Sequence, residues 1–232
     1  MKNYLAYLAV LVFVLGCKKN ESYEYYYQKA EEKRIEIENL VKTFPCGDLS
    51  NWKVDALSTS VFSVIYYPVA TIPNPHYLRL KEEYEVLINK AKKLDDRTFY
   101  LDYIYNPAIA IECVDGHPKV MTAQDYNLEG AITVLNTKIA EVEALTGNRT
   151  CAGTEDWYVF RMMKDCKSVY IPINKNDKAL FGKINELQQI IWTLQMRIVS
   201  LDNTKQDCFR YENSNTSFEV VCENNKPIVK AK

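Results

Sequence analysis

Four stretches of the chain place apolar residues three and four positions apart, the spacing of one face of an α-helix. The second begins after Asn74 and Pro75, which suit the cap and the first position of a helix. Thr122 and Asp125 offer the third stretch a capping-box start, and Gly147 offers it a stop. The apolar positions are Tyr23, Tyr27, Ala30, Ile37 and Val41; Tyr77, Leu80, Tyr84, Leu87, Ala91 and Leu94; Leu128, Ile132, Leu135, Ile139 and Val142; and Leu180, Ile184, Leu187, Ile191, Leu194 and Ile198. The pattern predicts four amphipathic helices.

Runs rich in β-branched and aromatic residues follow the predicted helices, and such residues favour strands. After the first and third helices they are Val61–Val69 in one half, and Trp157–Met162 with Ser168–Ile173 in the other. After the second and fourth helices they are Thr98–Tyr105 with Ala108–Cys113, and Cys208–Tyr211 with Phe218–Cys222. The polar segment Asn213–Ser217 predicts a hairpin turn between the last two runs. Each half is therefore predicted to run helix, two strands, helix, two strands.

The two halves also share residues at a nearly constant offset. Cys46 and Trp52 recur as Cys151 and Trp157, 105 positions later, and Ser63-Val64 recurs as Ser168-Val169 at the same offset. The segment from Cys113 to Pro118 resembles the segment from Cys222 to Pro227, now at an offset of 109. Small loop insertions account for that drift. The chain therefore reads as a tandem duplication, with module 1 at 23–122 and module 2 at 123–232.

The N-terminus has its own pattern. Met1 and Lys2 precede an apolar run from Tyr4 to Leu15, which is too short to span a membrane, and Val14-Leu15-Gly16-Cys17 ends it. This segment resembles a bacterial lipoprotein signal peptide with a lipobox. The resemblance implies a signal peptide at 1–16 and a lipidated tether at 17–22 that begins at Cys17. It also implies anchoring in the bacterial cell envelope by lipid at Cys17, with the outer membrane expected and its periplasmic or surface face left open. An ordinary secretory signal is the alternative.

Residues Lys18-Lys19-Asn20-Glu21 follow the lipobox-like cysteine and mix both charges. They are similar to tethers on surface-exposed lipoproteins of Bacteroidota. A solvated spacer between the bilayer and the folded part of the chain is the simpler interpretation.

Six cysteines remain once Cys17 is assigned to lipid, and an even number in an exported chain predicts disulfides. Zinc is the rival interpretation, but no two cysteines are close in sequence and only His76 and His117 offer nitrogen. If both copies share one framework, the pairs are Cys46–Cys113, Cys151–Cys222 and Cys166–Cys208. The predicted fold class is thus α+β, a tandem duplication of a small disulfide-braced module.

Charge and composition exclude some functions. Removing residues 1–16 takes away Lys2 alone, so 28 basic residues face 30 acidic ones, a net charge of −2 that gives no reason to expect nucleic acid as a partner. Only 7 glycines are present, which leaves little material for phosphate-binding loops. No zinc-protease motif, nucleophile elbow or phosphate loop occurs, and we expect no cofactor, no metal and no catalytic residue. One enzymatic alternative stays open, a carboxylate pair for glycoside hydrolysis drawn from Asp48, Asp55, Glu155 and Asp156.

Aromatic residues provide the remaining binding candidates. Tyr66, Tyr67, Tyr103 and Tyr105 are possible ligand-binding residues on an exposed aromatic platform, although packing on a strand face is the commoner role. Trp52 and Trp157 are expected to anchor cores against the nearby disulfides.

We therefore expect a lipid-anchored envelope protein that acts as a non-enzymatic binding module for another protein, in the manner of an inhibitor or adhesin. A surface glycan-binding protein or glycoside hydrolase is the first alternative. A purely structural envelope component is the second.

Overall fold

The computed structural model describes residues 22–59, 63–96, 106–147, 149–151, 153–209 and 216–232. Cys17, the signal peptide and most of the tether lie outside this range, as do Tyr103, Tyr105 and the run Thr98–Tyr105. None of the described helices combines the length and apolarity needed to cross a bilayer. The described residues fall into two compact units, one within Met1–Tyr103 and Ile111–Val120, the other within Ile104–Ala110 and Met121–Lys232.

The first copy of the repeat consists of two helices, each followed by an antiparallel hairpin. Ser22 caps the first helix by accepting a hydrogen bond from the backbone of Tyr25, and Asn74 caps the second by accepting from His76 and Tyr77. A short 3₁₀ helix, Leu49–Asn51, precedes the first hairpin. The elements are α1 (Tyr23–Val41), β1 (Trp52–Ser58), β2 (Val64–Ala70), α2 (Pro75–Leu94), β3 (Ala110–Val114) and β4 (His117–Met121).

The second copy repeats this order. Asn127 caps its first helix by accepting from the backbone of Gly130, and Asp177 caps its second by accepting from Leu180. The elements are α3 (Leu128–Thr146), β5 (Trp157–Lys164), β6 (Lys167–Asn174), α4 (Lys178–Leu201), α5 (Gln206–Phe209), β7 (Phe218–Glu223) and β8 (Lys226–Ala231). The predicted α+β class and the repeated order of helices and strand pairs are confirmed.

Backbone hydrogen bonds recur at equivalent positions and support the duplication independently of residue identity. Cys46 N donates to Gly116 O at 2.9 Å, and Cys151 N donates to Asn225 O at 2.9 Å. At the open end of the first hairpin in each copy, Thr71 N donates to Asn51 O at 2.7 Å, and Lys175 N donates to Asp156 O at 2.7 Å. Two copies of one backbone design are therefore present.

Each copy has a core between its helices and its first hairpin. In the first copy, apolar side chains from α1, α2, β1 and β2 pack together; they are Ala30, Ile37, Val41, Leu57, Tyr67, Val69, Tyr77, Leu80, Tyr84 and Ile88. In the second copy, α3 packs against α4, and Val220 of β7 packs with Trp157 of β5 beside Cys151.

Three disulfides are present. They join Cys46 to Cys113, Cys151 to Cys222, and Cys166 to Cys208, with Cα–Cα distances of 5.7, 5.5 and 4.1 Å. The first two occupy equivalent places in the two copies. The third belongs to the second copy alone.

The strand expected at Cys208–Tyr211 is wrong at Cys208 and Phe209, because Gln206–Phe209 is helical. The rest of that strand and most of the turn predicted at Asn213–Ser217 lie outside the described residues. The last hairpin turns at Asn224–Asn225. Both asparagines have positive φ, 52° and 60°, as do Asp115 and Gly116 in the matching hairpin, at 51° and 81°. Such backbone favours the two-residue turns that asparagine, aspartate and glycine make. The charged strand Lys226–Ala231 lacks the alternation that would have revealed it.

Helix registers differ slightly from the predicted stripes. Tyr26 takes the buried position predicted for Tyr27 in α1, and Ile88 takes the one predicted for Leu87 in α2. Each lies four residues from another buried residue, Ala30 or Tyr84, and so falls on the same face of its helix. The predicted capping box at Thr122 and Asp125 forms at the 3₁₀ turn Ala123–Asp125 and does not start α3.

Candidate functional site

The two described tyrosines among the predicted binding residues do not form a shared platform. Tyr67 is 5% exposed and belongs to the core of the first copy, whereas Tyr66 points to the opposite face of β2 because side chains alternate along a strand. Burial raises the pKa of the Tyr67 hydroxyl, and the nearby Arg34 charge partly offsets that rise. The hydroxyl and the guanidinium do not reach hydrogen-bond geometry. Tyr103 and Tyr105 lie outside the described residues.

Among the other candidates, the tryptophans and Asp48 make structural contacts. Trp52 donates from Nε1 to Cys46 O at 2.7 Å, and Trp157 is buried beside the Cys151–Cys222 disulfide. Asp48 caps the first 3₁₀ helix by accepting from Ser50 N. Glu155 and Asp156 are exposed in the turn before β5. His117 is the first residue of β4, and its Nδ1 lies 2.8 Å from Phe44 O.

In the first copy, polar side chains of α2 bridge directly to β1. Tyr77 Oη donates to Asp55 Oδ2 at 2.8 Å, and Lys81 Nζ donates to both carboxylate oxygens at 2.8 and 2.7 Å. Further along, Tyr84 Oη donates to the backbone oxygen of Ser58 at 2.9 Å, and Lys92 Nζ donates to Ser58 Oγ at 2.7 Å. We call these bonds the β1–α2 network. It closes the space between strand and helix.

The electrostatics fit a closed, structural network. Burial alone would raise the pKa of Asp55, but hydrogen bonds from Lys81 and Tyr77 outweigh it, and the pKa is lowered. Burial and the bond to Asp55 raise the pKa of Tyr77. Asp55 therefore stays an anion and Tyr77 stays a neutral donor.

The bridges to Asp55 cannot form in the second copy. The β1 positions map onto β5 at an offset of 105, which places Phe160 at the position of Asp55 and Met163 at that of Ser58. Neither replacement carries a carboxylate or a hydroxyl group. The start of α2 maps onto the start of α4 at an offset of 103, the distance between the caps Asn74 and Asp177.

A groove of about 730 Å³ lies between β5 and α4. Four aromatic rings and four carboxamides line it. The rings are Tyr158, Phe160, Phe181 and Trp192, and the carboxamides are Asn185, Gln188, Gln189 and Gln195. Tyr158 and Phe181 meet edge to face with centroids 5.7 Å apart. We call this space the β5–α4 groove.

Gln195 is the unusual residue of the groove. It is 3% exposed, and no described residue accepts a hydrogen bond from its Nε2. Tyr67 and Asn106 also carry buried polar atoms without a partner of accepted geometry among the described residues, but neither lines the groove.

The groove also exposes the edge of a strand. Five consecutive residues, Tyr158 to Met162, line it, although neighbouring side chains on a strand point to opposite faces. The groove must therefore run along the strand edge, past the backbone. Among the described residues β5 pairs only with β6, which leaves that edge without a partner strand.

The described lining carries almost no charge. Arg161 is its one charged residue, and that guanidinium donates to Ser168 Oγ at 2.8 and 3.1 Å and lies over the Tyr170 ring. No aspartate, glutamate, histidine, serine or cysteine is among the described lining residues. Elsewhere too, the described part of the chain holds no cluster of residues able to bind a metal ion.

The chain matches no family model, no curated protein and no solved structure in the comparisons made.

Sequence reasoning missed the groove, yet a signal for it exists. Phe181, Asn185, Gln188 and Trp192 recur at helical spacing beside the buried stripe of α4. Trp192 is 46% exposed and Phe181 is 38% exposed, which is unusual for such large rings. An aromatic and amide face next to an apolar face indicates a second contact surface on one helix.

Proposed function

We propose that the protein is a lipid-anchored, non-enzymatic binding protein of the bacterial cell envelope, and that the β5–α4 groove holds part of a partner protein. The observation that carries the proposal is Gln195, a buried amide donor without an acceptor among the described residues, on the wall of an open groove. Lipid anchoring at Cys17 is supported by the lipobox-like sequence.

Energetics favour an external acceptor for Gln195. A buried polar group without a hydrogen bond costs about 1–3 kcal/mol, a large share of the stability of a small domain. A chain that keeps an unpaired amide beside a groove loses stability unless a partner supplies the acceptor.

A capture experiment tests the proposal. The mature chain from Lys18 onward and its Phe181→Ala variant are immobilised and exposed to envelope extract, and bound material is identified by mass spectrometry. We expect a protein that the parent chain captures and the variant loses. Leu78→Ala is the matched control, because Leu78 is the exposed first-copy residue at the position of Phe181 and should leave capture unchanged. Equal capture by all three chains would contradict a role for the groove.

A second candidate, a neutral glycan in the same groove, is favoured by one observation. Aromatic rings that can stack on sugar faces lie among carboxamides that can bond hydroxyl groups in both directions. Titration of an uncharged oligosaccharide panel, followed by tryptophan fluorescence in the parent chain and in a Trp192→Phe variant, tests it. Saturable quenching that Gln188→Leu and Gln189→Leu both weaken would favour the glycan.

A further inference from the structure

We infer that the segment bound in the β5–α4 groove is an extended, uncharged stretch of polypeptide that adds a strand to the open edge of β5. This inference rests on the proposed function and names the chemistry of its partner. It draws on the strand edge, the dimensions of the groove, its charge and the position of Gln195.

The strand edge supplies the main-chain half of the interaction. An unpaired edge presents N–H and C=O groups at regular intervals, and an added strand satisfies them in a row. Tyr158 to Met162 line the groove, and β5 has no second partner strand among the described residues, so this edge can accept an added strand. Sugars bond such a ladder poorly, because their hydroxyl groups do not repeat at the spacing of a strand.

The dimensions match a short extended chain. Tyr158 to Met162 spans about 13 Å at the rise of a β-strand. On the opposite wall, Phe181 to Trp192 spans about 16 Å at the rise of an α-helix. Both walls are therefore long enough for four or five residues of extended polypeptide, and 730 Å³ lies in the range of specific ligand clefts.

The charge of the groove selects against ionic partners. Arg161 is already bound to Ser168 and stacked near Tyr170, and the other described lining residues are neutral. A charged side chain entering the groove would lose hydration without gaining a counter-ion, which costs several kcal/mol. The segment should therefore be uncharged along the stretch in contact, with apolar or amide side chains facing the rings of α4.

Gln195 provides a fixed point for the bound chain. Its Nε2 can donate to a main-chain carbonyl of the added strand after a turn of its terminal torsion, which is soft for sp³–sp² bonds. The bond would remove the unsatisfied donor and would not depend on the sequence of the partner. Specificity would then come from the alternate side chains that meet Trp192 and Phe181.

A displayed library of linear eight-residue peptides, selected on the full mature protein, tests the inference. We expect enriched peptides without charge in a central run of four or five residues, and Gln195→Leu should weaken their binding at least tenfold. Each residue of an enriched peptide is then N-methylated in turn. Strand addition predicts that binding falls at every second position, because only alternate N–H groups face β5.

The outcomes separate the two proposals. Loss of binding at alternate positions supports strand addition. Bound peptides that tolerate N-methylation everywhere, or that are enriched in charge, overturn it while the groove remains a protein-binding site. If a neutral oligosaccharide panel tested in parallel binds through Trp192 and no peptide does, the ligand class is wrong. If neither binds, the proposed function falls as well.

Discussion

Replacing Gln195 by leucine should make the protein more stable and a poorer binder. Leucine has nearly the volume of glutamine, so the change removes the unsatisfied Nε2 donor without opening a cavity. Most core substitutions destabilise, so a gain at this position would be diagnostic. It would mark a residue retained for binding at a cost in stability.

The size of the effect follows from the burial of the amide. A buried, unsatisfied polar group costs about 1–3 kcal/mol, and the lower end applies because the substitution also removes the side-chain oxygen. For a cooperative unit of roughly one hundred residues, a gain of 1 kcal/mol raises Tm by about 4–8 °C. Leucine adds the transfer energy of a buried apolar side chain in the same direction.

Thermal and denaturant unfolding of the oxidised protein, followed by circular dichroism, measures the change. Gln188→Leu is the matched control, since Gln188 lines the same groove on the same helix but is exposed. We expect the control to change stability by less than about 0.5 kcal/mol. If Gln195→Leu lowers Tm, or if both variants behave alike, the amide is not an unsatisfied group and the reasoning fails.

Three further predictions concern the rest of the chain. Asp55 has a lowered pKa in the folded protein, so its contribution to stability is fully present above the unfolded pKa of about 3.9 and is lost as pH falls through the folded value. Asp55→Asn should therefore flatten that part of the plot of urea midpoint against pH. An unchanged plot would count against the β1–α2 network. Replacing Cys166 and Cys208 together by alanine opens a bridge with a sequence separation of 42 and should cost up to about 4 kcal/mol in unfolding experiments, whereas no loss would mean that the bridge constrains nothing. Cys17→Ser should abolish palmitate labelling and release the protein from membranes, and continued labelling would disprove lipid attachment at this residue.

Features that depend on residues close together in the sequence were predicted well. Helical spacing located α1 to α4, and the shared spacing of Cys46, Trp52, Cys151 and Trp157 indicates the repeat from the sequence alone. The hairpin turns were harder. Asn224–Asn225 has the residues of a two-residue turn, but its second strand is charged and begins next to a proline, so composition favoured the polar segment upstream.

The groove could not be predicted in the same way, because it depends on missing contacts between two elements that are distant in sequence. In the first copy, Asp55 on a strand and Lys81 on a helix meet, and nothing in either local pattern announces that contact. In the second copy Phe160 stands at the position of Asp55 as an ordinary core residue. Only comparison of the two copies shows that this bridge has been lost.

Amide hydrogen exchange with the captured partner present and absent tests the central claim most directly, that a partner strand binds the open edge of β5 in the second copy. We predict slower exchange in Tyr158–Met162 and in the facing part of α4 on binding, with no change in β1. Protection confined to the first copy, or none in β5, would contradict it.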